Sequence, residues 1–208
     1  MNVDNIHWLG HATFRIQDGT NQVYIDPWKL PANAPKADVI LITHGHFDHY
    51  SVEDIAKIEQ PATIFVAPAD VAAKLAGKKA LTATPGGSYD AGTVKITAVA
   101  AYNTGKDFHP KSNAWVGYIV TLSTGERIYH SGDTDAIPEM GGLHVDVALM
   151  PCGGTYTMTA AEMAGAANTF KPAVLIPMHW GDIVGSKDDA DTVARTFKGK
   201  TVIKPVER

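Results

Sequence analysis

An apolar run, Asp38-Val-Ile-Leu-Ile-Thr43, leads straight into His44-Gly-His46-Phe-Asp48-His49. The run reads as a strand buried on both faces. Its exit carries three imidazoles and a carboxylate within six residues. Imidazole nitrogen and carboxylate oxygen are common ligands of zinc and similar divalent ions. A solvated His-rich turn, the alternative for such a tract, would leave several imidazoles clustered with no partner charge. The cluster therefore reads as part of a divalent-metal site, and the fold must bring further ligands to the end of this strand.

The chain has 208 residues, 45% of them hydrophobic and 19% charged, as in a globular protein. A chain of this length buries roughly 70% of its unfolded surface, so a substantial core is expected. A net charge of −4 gives no electrostatic reason to expect nucleic acid as a partner. Cys152 is the only cysteine, so no intrachain disulfide can form, and the composition fits a reducing cytosol. The segment Met1–His7 lacks the basic and apolar regions of a secretory leader. No apolar run approaches the ~18–20 residues that cross a bilayer. The expectation is a cytoplasmic protein without a membrane partner.

Short apolar strands alternate with helical stretches. Ile6–Ile16 and Gln22–Ile25 read as a hairpin turned at Asp18-Gly19. Ser51 caps a helix with Ile55 and Ile58 on one face, Ala62–Ala67 is β-rich, and Ala69–Ala76 reads as a helix stopped by Gly77. Thr93–Ala100 has the period-2 pattern of a half-buried strand. Trp115–Leu122 and Arg127–His130 form a second hairpin around Ser123–Glu126. Asp146–Met150 and Val174–Met178 are buried strands separated by a helix that Thr159-Ala-Ala-Glu162 opens as a capping box. Asp188–Phe197 is the last helix. Both halves run strands first and strand–helix units after, so the chain reads as one α/β domain of two similar halves meeting near residue 105.

Other ligand types also follow apolar strands: Asp26 after Tyr24-Ile, Asp133 after Ile128-Tyr-His130-Ser-Gly, and His179 after Leu175-Ile-Pro-Met. Asn103, Asp107 and His109 lie between Ala101 and Trp115. Loops at strand ends are where α/β folds assemble sites. With these residues, the chain resembles the metallo-β-lactamase superfamily of metal-dependent hydrolases, its motifs falling in the family's order from residue 6 to 180. Leu9-Gly-His11-Ala-Thr-Phe, Tyr24-Ile-Asp-Pro27 and Gly153-Gly-Thr-Tyr-Thr-Met158 are similar to the compact branch that includes ascorbate-6-phosphate lactonase.

The resemblance implies a four-layer αββα sandwich, one hydrolase domain over 1–208 with a binuclear metal site at one edge. It implies that His44 and His46 bind a first ion, that Asp48, His49 and His179 bind a second, and that Asp133 bridges both. Asp26 would support the ligand loop by hydrogen bonding. At the first ion's third ligand this chain departs from the family pattern: Ala101-Tyr-Asn103 stands where a histidine usually does, and the nearest histidine is His109. Either His109 reaches back to complete the site, or the first site lacks a ligand and binds weakly. Pro110 and the flanking aromatics suggest an ordered loop and favour His109.

The expected cofactor is one or two divalent ions per chain, zinc first, with manganese, iron and nickel compatible. The expected activity is cleavage of a small, anionic lactone, ester or phosphoester by metal-bound hydroxide, with Asp48 and Asp133 as catalytic residues. The alternatives are a nucleotide or nucleic-acid phosphodiesterase, and a non-catalytic metal-binding protein if the first site is defective. A small-molecule substrate is the expected partner, and a homo-oligomer stays open. His11, His130 and Asn103 are further candidates for supporting ligands or contacting substrate. His7 lies ~13 Å from His11 along a strand and reads as structural. Trp28, Tyr156 and Trp180 could line a pocket mouth, whereas Trp115 reads as core. Cys152 reads as a small buried residue, Gly153-Gly154 as a place for close backbone approach. Lys106 and Lys111, flanking His109, could attract an anion.

Overall fold

The first apolar stretch folds as two strands rather than one. In the structure, a computed structural model describing residues 2–208, Gly10 (φ 101°) and His11 (φ 51°) turn the chain. Ile6–Ile16 is thereby split into antiparallel β1 (Ile6–Gly10) and β2 (Thr13–Asp18). Met1, the start of the segment searched above for a leader, lies outside the described residues. β3 (Asn21–Ile25) pairs with β2 across the Asp18-Gly19 turn. β4 (Val39–Leu41), β5 (Ile64–Pro68) and β6 (Lys79–Ala83) then add in parallel, giving a six-stranded sheet in sequence order.

The second sheet repeats the scheme. β7 (Ser88–Asp90), β8 (Lys95–Ala100), β9 (Val116–Thr121) and β10 (Arg127–His130) form an antiparallel meander. β11 (Val147–Pro151), β12 (Val174–Met178) and β13 (Lys200–Thr201) extend it in parallel. The chain crosses between sheets at residues 84–87, not near residue 105, because β7 and β8 hydrogen-bond to the β9 side. β6 and β7 were not anticipated, since most of their side chains are exposed and carry no apolar alternation.

Helices cover the outer faces of both sheets. α1 (Val52–Ile58) starts where Ser51 Oγ accepts from Asp54 N at 3.2 Å. α2 is short (Ala69–Ala72) and finishes as a 3₁₀ turn over Ala73–Leu75, so the stretch before Gly77 is only partly α-helical. α3 (Ala160–Phe170) opens with the reciprocal Thr159–Glu162 bonds of a capping box. α4 spans Lys187–Thr196. Three apolar clusters separate the layers. One joins inward-facing residues of both sheets, including Phe14, Ile25, Leu41, Tyr118, Leu149 and Ile176. A second lies between α3, α4 and the second sheet, and a third between α1, α2 and the first sheet. The architecture is the expected αββα sandwich.

Two polar ties fix the sheets against each other. Tyr118 Oη donates to Ile42 O at 2.8 Å and Val66 O at 3.1 Å, directly beneath the exit of β4. Asp18 accepts from Ser123 N and Oγ at 2.9 and 2.6 Å near the opposite edge. The C-terminal ends of β3, β4, β10 and β12 lead into Asp26, His44, Asp133 and His179, so four strand exits from two sheets feed one edge.

Candidate metal centre

The ligand loop is anchored from below by Asp26. This carboxylate is fully buried, and its backbone is held at φ 49°. Oδ1 accepts from Thr43 N at 2.8 Å, and Oδ2 accepts from Thr43 Oγ1 and His49 Nδ1, each at 2.7 Å. His49 therefore carries its proton on Nδ1 and turns Nε2 inward. At His44 the same logic applies: Thr43 Oγ1 already donates to Asp26, so His44 Nδ1 donates to it at 3.0 Å, and the unprotonated Nε2 faces His46 Nδ1 at 3.0 Å. Fixing the tautomer through the second nitrogen is how proteins prepare histidine ligands.

The side chains gather in two groups sharing Asp133. His44, His46 and His109 each offer an atom within 4.8 Å of the others, and so do His11, Asp48, His49 and His179. Asp133 Oδ2 lies 3.4 Å from His109 Nε2 and 3.0 Å from His179 Nε2, while Oδ1 lies 3.4 Å from His49 Nε2. His109 thus reaches back from its loop to His44 and His46. Asn103 does not compete with it. Its Oδ1 accepts from His109 N and Nδ1, both at 3.0 Å, and its Nδ2 donates to Asp135 Oδ1 and Tyr156 O at 3.1 and 3.0 Å. Asp135 is held in turn by Lys106 and by Thr104 N.

Whether these residues suit a cation can be judged from what they leave unpaired. Ten buried side-chain N and O atoms among the described residues have no hydrogen-bond partner, and six belong to this cluster: His11 Nδ1, His49 Nε2, His109 Nε2, Asp133 Oδ1 and both nitrogens of His179. Buried polar atoms normally find partners, so this concentration fits divalent-cation ligation. Three of the six non-glycine residues with positive φ, His11, Asp26 and His179, are also here. Imposed backbone conformations of this kind gather at functional sites.

Charge follows the same plan. Burial pushes the Asp133 carboxyl up, but the nearby His179 and His49 imidazoles hold it well below the usual carboxylate range. Burial also raises Asp48, yet the hydrogen bond from His11 Nε2 (2.9 Å) and the nearby His49 bring it down to about 2. Burial keeps His44 and His11 below the ordinary imidazole value. Burial would do the same to His49, but Asp133 and Asp26 outweigh it and lift His49 well above. The pattern is two carboxylates held ionised, with His44 and His11 kept neutral by burial and His49 alone lifted by the acids on either side of it.

The remaining candidates are placed as follows in the fold. His130 touches no candidate ligand side chain and no pocket: its Nε2 donates to Ala12 O at 2.9 Å, and its Nδ1 accepts from Gly132 N at 3.1 Å, which ties the Asp133 loop to the first sheet. Trp115, read as core, is half-buried and packs against His44 and His46 with ring centroids 4.9 Å apart. Trp180 instead joins the interior, 4.8 Å from Trp8. Trp28 stacks edgewise on His11 and Phe47. Cys152 is buried, and burial raises its thiol pKa. At Gly153 a Cβ would collide with the His179 carbonyl, so the close approach there is to the backbone of a candidate ligand rather than to a substrate or metal. His7 pairs with Glu207 at 2.7 Å. Lys106 is committed to Asp135, and Lys111 to Glu139 and Tyr102.

A cavity of about 270 Å³ opens over the donors, its walls formed by His46, Asp48, His109, Asp133 and His179 together with Phe47, Phe108, Tyr156 and Ile183. Of these walls only Tyr156 was anticipated. The missed signal lay in sequence: Phe47 and Phe108 each directly precede a candidate ligand, in loops with no apolar pattern to bury them.

A family model described as a beta-lactamase superfamily domain matches residues 5–179. The chain belongs to the metallo-β-lactamase superfamily. Within this superfamily it is 35% identical over 196 residues to a metal-dependent hydrolase of Koribacter versatilis, covering 85% of this chain and 84% of that one. A metal-dependent hydrolase of Archaeoglobus fulgidus is 33% identical, with 97% and 96% covered. A candidate metal-dependent hydrolase of Parabacteroides distasonis, solved as a crystal structure, superposes with a TM-score of 0.84 at 33% identity, covering 97% and 93%. The superfamily member described here is a metal-dependent hydrolase with a His/Asp cluster able to hold metal. Among its described residues, no helix is long and apolar enough to cross a membrane.

Proposed function

We propose that the chain hydrolyses a small lactone, ester or phosphoester at a binuclear centre, with zinc as the first candidate ion. In this reading His44, His46 and His109 hold one ion, Asp48, His49 and His179 hold the other, and Asp133 is shared. The observation that carries it is the position of Asp133, whose two carboxylate oxygens face imidazole nitrogens of both groups at 3.0–3.4 Å. When bound, the ions supply an electrophile for the oxygen under attack and acidify a coordinated water.

The chain's own residues then orient and accept. Asp48 remains a carboxylate at neutral pH and borders the cavity, so it is the group available to take the attacking water's proton and return it to the leaving oxygen. His11 holds Asp48 in that pose through the 2.9 Å hydrogen bond. Trp115 closes the outer side of His44 and His46, limiting water access to their face. The placement of His109 beside His44 and His46 favours a complete first site over the defective-site alternative. A nucleic-acid substrate is disfavoured because no lysine or arginine lines the cavity. A cytoplasmic location belongs to the same proposal and fits the single buried cysteine.

The test is a set of His46→Ala, Asp48→Ala and His179→Ala proteins assayed for zinc content and for hydrolysis of ester, lactone and phosphoester panels. Each is expected to stay folded and lose hydrolysis by at least about a hundredfold. Full activity in a metal-depleted His179→Ala protein would overturn the proposal.

A further inference from the structure

The walls of the cavity above the donors are of one chemical kind. Beyond the candidate ligands they consist of Phe47, Phe108, Tyr156 and Ile183. Six large hydrophobic side chains are exposed among the described residues, and three of them are here: Phe47 at 70%, Phe108 at 47% and Ile183 at 39%. Single exposed apolar residues are ordinary, but a group around one cavity marks a binding surface.

These walls are braced. Phe108 meets Tyr156 edge-to-face with ring centroids 4.7 Å apart, and Phe47 meets Trp28 in the same way at 5.9 Å. The loop carrying Ile183 is tethered through Asp182, which pairs with Lys29 at 2.6 Å and Arg208 at 2.9 Å. Four cations of the surrounding loops are held in such pairs. Lys29 and Arg208 hold Asp182, Lys106 holds Asp135, Lys111 holds Glu139, and none lines the cavity. An anionic group reaching beyond the donors would lose its hydration and gain no side-chain counter-charge.

We propose that the substrate is a neutral molecule whose scissile group carries an aryl or branched-alkyl substituent, seated among Phe47, Phe108, Tyr156 and Ile183. It departs from the anionic substrate expected from the sequence. It rests on the hydrolytic reading above and names the substrate class of that site. The 270 Å³ volume lies just below the roughly 300–1,000 Å³ of common ligand pockets, which suits one ring and the group under attack.

Two esters that differ by a single carboxylate test it on the zinc-loaded protein: phenyl acetate and 4-acetoxybenzoate. The expected result is a kcat/KM at least about tenfold higher for phenyl acetate. Phe108→Ala and Ile183→Ala should raise KM for phenyl acetate about fivefold, the loss falling on KM rather than kcat, with zinc content unchanged. Leu81→Ala, an exposed apolar site remote from the cavity, should leave both constants at wild-type values. Calorimetric binding of acetanilide, a neutral aryl amide, gives a reading independent of turnover and should weaken about fivefold in Phe108→Ala. If neither ester is cleaved but acetanilide binds and the truncation weakens it, the reaction class fails and the substrate class stands. Equal or better turnover of 4-acetoxybenzoate would overturn the inference, as would wild-type KM and acetanilide affinity in both truncated proteins.

Discussion

Asn103 Oδ1 accepts two hydrogen bonds from His109, one from the backbone N–H and one from ring Nδ1–H, each at 3.0 Å. One oxygen thus fixes both where the loop sits and which nitrogen of the imidazole is left bare. Asn103→Ala should lower zinc affinity about 10–100-fold in a competition titration with a chromophoric chelator, while the fold is kept. Unchanged affinity would mean that the ring is oriented by packing alone.

Asp26 satisfies three donors in the fully buried base of the ligand loop. Asp26→Ala leaves Thr43 N, Thr43 Oγ1 and His49 Nδ1 without acceptors. Denaturant titration of the variant should show a loss of about 3 kcal/mol. Asp26→Asn retains a carbonyl acceptor and should lose less.

Gly117 lies where β9 passes the Asp133 loop. A Cβ there would sit 2.6 Å from both His130 O and Ser131 O, and neither backbone atom can retreat without displacing the loop. Gly117→Ala is expected to lower stability by about 1–3 kcal/mol and to reduce zinc content. A melting curve paired with metal analysis checks both effects, and wild-type values in both would refute the packing described.

His130 predicts a pH dependence. Burial keeps its pKa below the ordinary 6.5, despite opposing help from Asp26 and Ala12 O. In the unfolded chain the imidazole protonates near 6.5; in the fold it stays neutral, because Nδ1 must accept from Gly132 N. The unfolded state therefore binds more protons below about pH 6.5, and stability falls as pH drops from there to the lowered folded value. This contribution approaches at most about 1.4 kcal/mol per pH unit. Comparing His130→Gln with wild type at each pH isolates it from the other histidines. The difference between the two proteins should narrow as pH falls from 7 to 5.

Metal binding should stabilise the fold. The complete donor set converges only in the folded sandwich, so a bound divalent ion such as zinc should favour the native state over the unfolded chain, which keeps only the local 44–49 cluster. At a free concentration a hundredfold above Kd this contributes about 2.7 kcal/mol, or about 5–10 °C in Tm for a chain of this size. Chelation with EDTA should reverse the shift, and a Tm indifferent to zinc would count against the site.

The two sheets, the ligand loop and the supporting Asp26 were legible because each is local: an apolar strand ends and a ligand type follows within two or three residues. His109 was only half legible. Its approach to His44 depends on a loop whose course is set by Asn103, Asp135 and Lys106, and no periodic pattern records such a contact. The break at Gly10-His11 was hidden because the residues on either side continue an apolar run. β6 and β7 were hidden for the opposite reason, being edge segments with little to bury. That Trp115 packs on His44 and His46 while Trp180 packs on Trp8 is a matter of tertiary geometry that no local pattern records.

The strand exits that feed the centre come from both sheets, and their order along the chain has a consequence for biosynthesis. A chain emerging from the ribosome presents His44, His46, Asp48 and His49 first, then His109 and Asp133, and His179 only when all of β12 is out. Until that last histidine arrives and the second sheet closes over the first, only part of the donor set exists. On the proposed ligand set, loading would be a late event in the life of the molecule, and a chain truncated before residue 179 would lack the last of its seven donors.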